Sequence, residues 1–205
     1  MQELVTVRPG EQRRDPFALH GMHRLRHQVF RHRLGWEVPS QQGLERDEYD
    51  DCDPVYILAR GPARRVQGCV RLLPTTGPYM LRDTFPELLA GEPAPEDPGV
   101  WDASRFAVHR SAAAGSQTVM PHGRPAADLV LAAVDHAIEE GIHHYVAVVS
   151  VGFERILRGL GLPVTRFGDG RARRIGKALS VALWIETSLA SRQSLLAHNY
   201  QRRVA

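Results

Sequence analysis

The alternation of apolar and polar positions along the 205-residue chain predicts short strands interleaved with amphipathic helices. The clearest helix begins near Pro125, where apolar residues recur every three or four positions. Two β-rich runs, Val55 to Arg60 and Val66 to Leu73, flank the turn residues Gly61 and Pro62, which predicts a hairpin.

Further elements follow from the same patterning. His143 to Val151 is almost continuously apolar, which predicts a strand buried on both faces. A first helix is expected from Asp15-Pro16 up to Gly35, and Asp83 is expected to cap a short helix that ends at Leu89. The remaining predicted elements are strands at Glu3–Val7, Val100–Val108, Val164–Phe167 and Ala178–Glu186, a helix at Glu154–Leu160 and a helical tail from Thr187. This order predicts an α/β domain with one central mixed sheet.

Composition narrows the class of protein. Hydrophobic residues make up 43% of the chain and the formal net charge is only +3, which fits a globular protein with a real core and gives no strong footprint for nucleic acid. Two cysteines, Cys52 and Cys69, indicate neither a disulfide framework nor a zinc site. No apolar run resembles a signal peptide or a membrane span, so we expect a cytoplasmic protein without a membrane partner.

Charge changes sign abruptly between Arg26 and Asp53. The first half of this stretch is basic, the second half is strongly acidic, and Trp36 lies between them. Carboxylates beside an aromatic face attract positive charge, so the stretch suggests a site for a small cationic ligand.

Two apolar strands carry charges that need partners. Arg71 lies inside the Val66–Leu73 run, and Asp47 and Asp50 are its expected counter-charges. In the Val100–Val108 run, a period of two places Asp102, Ser104 and Phe106 on one face and Trp101, Ala103 and Arg105 on the other. From the residues alone, a functional site and a structural ion-pair network are equally good interpretations.

Four histidines lie on or near the first helix: His20, His23, His27 and His32. Metal binding is one interpretation of this group. A solvated helix surface is the favoured one, because no supporting cysteine or suitably spaced carboxylate accompanies the histidines. We therefore expect no metal and no cofactor.

Five motifs in order resemble the acyl-homoserine-lactone synthases, the LuxI-type autoinducer synthases. The motifs are R-L-G-W at Arg33–Trp36, E-x-D-x-x-D at Glu45–Asp50, R-L-L-P-T-T at Arg71–Thr76, P-Y-M-L-x-x-x-F-P-x-L-L at Pro78–Leu89 and W-x-x-S-R-F at Trp101–Phe106. The resemblance is dense from about Met22 to Val108 and looser afterwards.

The resemblance implies one synthase domain over residues 1–205, with a fold like that of the GCN5-related N-acetyltransferases (GNAT) and an acyl-chain cleft in the sheet. Residues 1–53 are then the lid region over S-adenosylmethionine. The amine of S-adenosylmethionine attacks an acyl thioester, and the product closes to a lactone and expels methylthioadenosine. S-adenosylmethionine is a substrate, the acyl donor is acyl carrier protein with acyl-CoA possible in its place, and a monomer is expected.

Site residues follow from the same resemblance. S-adenosylmethionine is expected to contact Arg26, Phe30, Trp36, Asp47 and Arg105. The expected catalytic residues are Asp47, Asp50, Arg71, Asp102 and Ser104. The family's usual Glu is Asp102 here, one methylene shorter. Asp102 is the candidate proton acceptor for the attacking amine, and Ser104 a candidate donor to the oxyanion.

The acyl chain is expected to lie against apolar side chains: Met80, Phe106, Ala147, Val149, Ser150 and Leu157 are the candidates. In the family, a threonine at the position of Ala147 accompanies 3-oxo chains; alanine donates no hydrogen bond, which favours an unsubstituted or 3-hydroxy chain. An acidic carrier protein needs a basic surface, for which Arg155, Arg158, Arg171, Arg173 and Arg174 are candidates.

Two alternatives remain at this point. An ordinary GNAT-type N-acyltransferase using acyl-CoA would carry a Q/R-x-x-G-x-G/A pyrophosphate turn, which the chain lacks. A nucleic-acid-binding module would use the arginine runs at Arg171–Arg174 and Arg202–Arg203, which are short and not interleaved with aromatic residues.

Overall fold

A computed structural model describes residues 2–109 and 123–204, and it gives side chains for residues 2–109 and 126–198. The α-helices are α1 (Pro16–Arg26), α2 (Met80–Asp83), α3 (Gly123–Glu140), α4 (Val151–Gly159) and α5 (Leu189–Val204). A π-helix at His27–Arg33 continues α1, and 3-10 turns lie at Gln12–Arg14, Glu48–Asp51, Pro62–Arg64 and Pro86–Leu89. The side chains of Arg202 and Arg203, in one of the basic runs, lie outside the described part.

Ten strands are assigned in the described residues: β1 (Glu3–Val7), β2 (Ser40–Gln41), β3 (Leu44–Glu45), β4 (Val55–Arg60), β5 (Val66–Pro74), β6 (Val100–Val108), β7 (His144–Ser150), β8 (Val164–Arg166), β9 (Arg173–Ile175) and β10 (Ala178–Glu186). The chain forms two compact units. The first comprises Met1–Arg71 and Arg105–Val130, and the second comprises Leu72–Ser104 and Leu131–Ala205. Strands β5 and β6 therefore each contribute residues to both units.

In the first unit the strand order is β1-β4-β5-β6, with β1 antiparallel to β4. Asp15 begins α1: its Oδ1 accepts the Ala18 N–H at 2.9 Å, and Pro16 follows at the first helical position. One face of α1 then buries Met22 and Leu25 against Tyr56 and other apolar residues of the unit. This core fixes the helix end that carries Arg26.

In the second unit the strand order is β5-β6-β7-β10-β8, with β9 beside β10. The start of β6 runs parallel to β7, and β10 is antiparallel to β7, β8 and β9. Strand β7 thus lies between two neighbours, and most of its residues are buried, as its apolar sequence predicts. The expected α/β fold with a mixed sheet is confirmed.

Several local expectations were wrong. Asp83 lies at the end of α2, where its Oδ2 accepts the Tyr79 N–H at 3.0 Å, so it does not begin a helix. The short β2-β3 pair and β9 were not anticipated. Each of these strands has only two or three residues, too few for a period-two pattern to be visible.

None of the helices in the described part of the chain has the length and apolar character needed to cross a membrane.

Candidate active site

Six buried charged side chains of the first unit form one connected network. Three are guanidinium groups, placed by the end of α1, by β5 and by β6; three are carboxylates from β3 and from the turn that follows it. No member has a side chain more than 5% exposed. The members are Arg26, Arg71, Arg105, Glu45, Asp47 and Asp50, and they are called the charge ring below.

Arg26 binds two carboxylates of the charge ring. Its Nε donates to Glu45 Oε2, and its two terminal nitrogens bind Asp50 in a bidentate manner, with Nη1 to Oδ1 at 2.6 Å and Nη2 to Oδ2 at 2.9 Å. Bidentate contacts of this kind are the strongest that a guanidinium forms with a carboxylate. The expected contact between Arg26 and S-adenosylmethionine remains a prediction.

Arg71 and Arg105 close the ring. Arg71 Nη1 donates to Asp47 Oδ1 and, at 2.9 Å, to Asp50 Oδ1, so the expected pairing of Arg71 with both aspartates is confirmed. Arg105 Nε donates to Glu45 Oε1 at 2.9 Å, and its Nη2 lies 2.7 Å from Asp47 Oδ2. Three positive charges therefore balance three negative ones.

This neutrality changes the interpretation of the acidic stretch. The three buried carboxylates are satisfied by arginine, so they do not present an uncompensated negative field to a cationic ligand. Glu48 and Asp51 are exposed, where water screens them. Much of the negative charge that follows Trp36 in the sequence therefore belongs to this buried ion-pair network.

The backbone between Glu45 and Asp51 is shaped to deliver two of the carboxylates. Asp47 precedes the 3-10 turn, and its Oδ1 accepts the Tyr49 N–H at 3.1 Å. Asp50 Oδ2 accepts the Asp47 N–H at 2.9 Å in return. This reciprocal arrangement is a capping box, and it holds both side chains in one orientation through contacts that involve no arginine.

Asp50 is also held by Tyr56, whose hydroxyl donates to Oδ1 at 2.6 Å. Burial alone would raise the pKa of Asp50, but the hydrogen bonds and charges of Arg26 and Arg71 outweigh it and lower that pKa. Burial, reinforced by the Asp50 charge, raises the pKa of Tyr56. Asp50 is thus an ionised acceptor throughout the physiological range.

An aromatic pair lies next to the charge ring. The Phe30 and Trp36 rings stack with centroids 5.3 Å apart and planes 20° apart, and the Arg105 guanidinium carbon lies 5.2 Å from the Phe30 centroid. The Trp36 indole Nε1 is buried and has no hydrogen-bond partner among the described residues. The π-helix sets this geometry, since Trp36 N–H bonds to Phe30 O at 2.9 Å as the chain leaves it.

Strand β6 changes its backbone conformation at Arg105. This residue has a φ of +53°, a left-handed value that residues other than glycine rarely adopt within a strand. Its carbonyl accepts a weak hydrogen bond from the Cys69 thiol at 3.6 Å, and burial raises the pKa of Cys69 to about 12.

The left-handed conformation at Arg105 interrupts the alternation of buried and exposed residues along β6. Asp102 and Ser104 are buried as expected, but burial then shifts to Arg105 and Ala107, while Phe106 is only half-buried. The predicted grouping of Phe106 with Asp102 and Ser104 was therefore wrong. The left-handed residue re-aims the strand, as a β-bulge does.

In the second unit, Asp102 is 1% exposed and is paired in register with Val146 of β7. Directly paired residues point to the same face of a sheet, so Asp102 shares a face with Val146. Trp101, on the other face, packs its ring against His136 of α3 at a centroid distance of 6.0 Å. Asp102 is thus on the face of β6 opposite to α3.

The candidate acyl-chain residues fall on different faces of β7. Ala147 and Val149 are buried and alternate with Val146, so they lie on the α3 face. Ser150 points to the other face and caps α4, its Oγ accepting the Phe153 N–H at 3.2 Å. Met80 begins α2 and Leu157 lies on α4, and both are buried. The structure brings Ala147 and Val149 together but separates Ser150 from them.

Sequence reasoning did not single out Glu45, a member of the charge ring, or Tyr56, which binds the ring from outside. Glu45 accepts from both Arg26 and Arg105 and is fully buried, yet only its place in the E-x-D-x-x-D motif pointed to it. Tyr56 gave no signal, because an aromatic residue in an apolar strand is ordinarily core.

The sequence and the fold match known proteins over most of the chain. The family described as autoinducer synthase matches residues 11–195. An acyl-homoserine-lactone synthase from Aliivibrio fischeri (strain ATCC 700601 / ES114) is 42% identical over 167 residues, which cover 80% of this chain and 83% of that protein.

Solved structures agree. The AHL synthase LasI superposes with a TM-score of 0.82 at 35% identity, covering 96% of this chain and 95% of LasI. BjaI, a CoA-dependent acyl-homoserine lactone synthase solved with SAM and isopentyl-CoA, gives a TM-score of 0.82 at 27% identity over 96% of this chain and 89% of its own. These matches favour the synthases over an ordinary N-acetyltransferase or a nucleic-acid-binding module. The chain belongs to the autoinducer synthase family.

Proposed function

We propose that this protein makes an N-acyl-L-homoserine lactone, a quorum-sensing signal, from S-adenosylmethionine and an acyl thioester. The observation that carries the proposal is the neutral, buried charge ring beside the Phe30–Trp36 stack, in a chain of the autoinducer synthase family. The charge ring is a polar surface held by many ion pairs, and it lies next to an aromatic one. This combination suits a substrate that carries a sulfonium, an ammonium and a carboxylate.

The chemistry has two bond-forming steps. The neutral amine of S-adenosylmethionine attacks the thioester carbonyl, an amide forms, and the thiol of the donor leaves. The methionine carboxylate then attacks its own γ-carbon, the carbon–sulfonium bond breaks, and methylthioadenosine departs with the electron pair. No redox partner and no cofactor are required by this balance.

Trp36 and Arg105 are the proposed ligand-facing residues of the first unit. The Trp36 ring offers a π face to the sulfonium, and its indole N–H is a donor without a partner among the described residues. Arg26 is fully buried and already forms three hydrogen bonds to Glu45 and Asp50, so we assign it a positioning role: it holds Glu45, which in turn orients Arg105. Asp47 acts in the same way.

Asp102 is the proposed proton acceptor for the ammonium group of S-adenosylmethionine. Its carboxylate is buried in β6, and a carboxylate within hydrogen-bond reach of the ammonium is a suitable general base. Ser104, two residues on along the same strand, is the proposed donor to the tetrahedral oxyanion. The shorter reach of Asp relative to Glu is compatible with transfer through one ordered water.

The acyl chain is proposed to pass through the cleft in the sheet, from the face that carries Asp102 to the α3 face of β7, where Ala147 and Val149 line it. Neither side chain donates a hydrogen bond, so an unsubstituted or 3-hydroxy chain is favoured over a 3-oxo chain. Ser150 supports α4 from the other face, and we no longer place it against the chain.

Acyl carrier protein is the proposed donor, with docking on the second unit. Of the five candidate arginines, Arg158 pairs with Glu154, and Arg171 and Arg173 pair with Asp169. Arg155 and Arg174 are exposed, and no carboxylate within the described residues forms an ion pair with them. These two are the arginines best able to meet an acidic partner.

The test is a product assay. The protein is incubated with S-adenosylmethionine and a panel of acyl carrier protein and acyl-CoA donors, and acyl-homoserine lactone and methylthioadenosine are measured by mass spectrometry. Both products should appear in equal amounts with at least one donor. Absence of both with every donor would sink the proposal.

Variants of Asp102 locate the proton acceptor in the same assay. Asp102→Glu should retain turnover, and Asp102→Asn should reduce kcat by two orders of magnitude or more, since general-base catalysis contributes roughly 10²–10⁴-fold. An active Asn variant would remove Asp102 from this role.

A further inference from the structure

His27 and His32 face each other on the π-helix, and neither belongs to the charge ring. Their Nε2 atoms are 3.1 Å apart, and the two rings are nearly perpendicular, with an interplanar angle of 87° and centroids 4.8 Å apart. His32 is exposed and His27 is half-buried, so solvent reaches the pair. The proposed synthase reaction makes no use of either side chain.

The π-helix is what brings these two residues together. In an α-helix, residues five apart point in directions separated by roughly 140°. In a π-helix the hydrogen bond spans five residues, so residues i and i+5 point toward the same side of the helix. The bond from Leu34 N–H to Val29 O at 2.9 Å is of this kind.

The separation of the two nitrogens matches that of a metal chelate. Imidazole nitrogens lie about 2.0–2.1 Å from zinc, so two of them 3.1 Å apart enclose an angle of about 98° at the metal. This value lies between the roughly 90° of square-planar or octahedral sites and the roughly 109° of tetrahedral sites.

We infer that His27 and His32 form a two-imidazole site for a late first-row divalent cation, with Cu²⁺ bound most tightly and water completing the coordination. The described residues contain no group of three or more His, Cys, Asp or Glu side chains that could hold a metal, so the protein supplies two ligands only. Imidazole suits Cu, Ni and Zn, and Cu²⁺ ranks highest among these for a given site.

A contact with Ser40 favours the tautomer of His27 that can bind a metal through Nε2. Its Nδ1 lies 3.1 Å from Ser40 Oγ, and with the proton on Nδ1 the Nε2 lone pair is available to a metal. His32 Nε2–H then donates to His27 until a cation takes its place, when the His32 proton moves to Nδ1. The charge of Arg31, the residue before His32, repels a cation, so binding should tighten as salt screens this charge.

A second histidine pair must be controlled for. His143 and His144 lie in the second unit with their Nδ1 atoms 2.9 Å apart, and they could also attract Cu²⁺. The experiment therefore uses untagged, full-length protein carrying His143→Asn as the background, and compares it with the same protein carrying His32→Asn in addition. His32 is exposed, so its replacement by Asn should leave the metal-free melting temperature unchanged.

The probe is Cu²⁺ alone, measured by calorimetric titration and by electron paramagnetic resonance, with no substrate present. The background protein should bind one equivalent, with nitrogen hyperfine structure from two imidazoles, and should melt at a higher temperature in the presence of Cu²⁺. Adding His32→Asn should weaken binding at least tenfold and abolish that thermal shift. His27→Asn should do the same.

Equal affinity in the two proteins, a spectrum with a single nitrogen ligand, or no saturable binding below millimolar Cu²⁺ would overturn the inference. Because no readout involves turnover, these results are independent of whether the synthase proposal holds.

Discussion

Arg71 illustrates how a single charge in an apolar strand organises its neighbours. Its side chain is fully buried, and its guanidinium reaches Asp47 and Asp50 across the turn between β3 and β4. The sequence indicates this pairing because a buried arginine needs a counter-charge, and the nearest acidic cluster precedes it by about twenty residues. The sequence does not indicate that Arg26 also binds Asp50.

We expect Arg71→Ala to destabilise the protein by about 3–5 kcal/mol, because it leaves a buried carboxylate uncompensated. The matched control is Arg46→Ala, which breaks an exposed pair with Asp51 in the same segment and should cost less than about 1 kcal/mol. Urea denaturation measures both. Similar small effects of the two substitutions would show that the charge ring contributes little to stability.

Asp50 should make stability depend on pH in the acid range. Its folded-state pKa is lowered below the ordinary aspartate value, so the unfolded chain binds more protons there than the folded one. The stabilisation is fully present above about pH 5 and is lost as the pH falls. The free energy of unfolding should therefore decline more steeply below about pH 5 for the wild type than for Asp50→Asn.

Urea titrations between about pH 6 and pH 3 measure this as the difference between the two proteins. That difference should shrink toward acid pH, because the unfolded wild type takes up a proton at Asp50 that the folded protein does not bind, and the variant has no such proton to take up. A difference that stays constant or widens would show that Asp50 has no lowered pKa.

At the scale of elements, interruptions of regular structure carry more of the site than the regular elements do. The π-helix after α1 places Phe30 against Trp36, and the left-handed Arg105 re-aims the second half of β6. The long elements were predicted well, because the apolar residues of α3 recur at helical spacing and β6 and β10 are long, mostly apolar runs. The interruptions were not, because a π-turn and a bulge leave the residue types unchanged and shift only their phase.

Ser150 tests how much the N-terminal cap of α4 contributes to stability. Its Oγ caps α4 through the Phe153 N–H, so Ser150→Ala should cost about 0.5–2 kcal/mol of stability, while Ser150→Thr or Ser150→Asp should retain most of it. Thermal and urea denaturation measure the cost, and product analysis measures the acyl chain transferred. A change of preferred chain length in Ser150→Ala without loss of stability would return this residue to the acyl pocket.

At the scale of the whole molecule, β5 and β6 are the segments that both compact units share. Arg71 ends the part of β5 in the first unit, and Arg105 begins the part of β6 in the same unit. The sequence predicts one α/β domain and contains no linker, and it gives no reason to expect two clusters of contacts. We propose that the chain unfolds as one domain, because strands that continue from one unit into the other cannot lose their pairing in only one of them.

Single-tryptophan variants test this cooperativity. Trp36 reports on the first unit, and Trp184, stacked on Phe167 with centroids 4.7 Å apart, reports on the second. In a protein that keeps only Trp184, the urea transition seen by fluorescence should coincide with that seen by far-ultraviolet circular dichroism. Tyr56→Phe, a substitution in the first unit that removes the hydrogen bond to Asp50, should shift both transitions equally, by about 1.5–3 kcal/mol. A Trp184 transition that stays in place while the circular dichroism transition moves would establish two independently unfolding parts, and the proposed single domain would have to be abandoned.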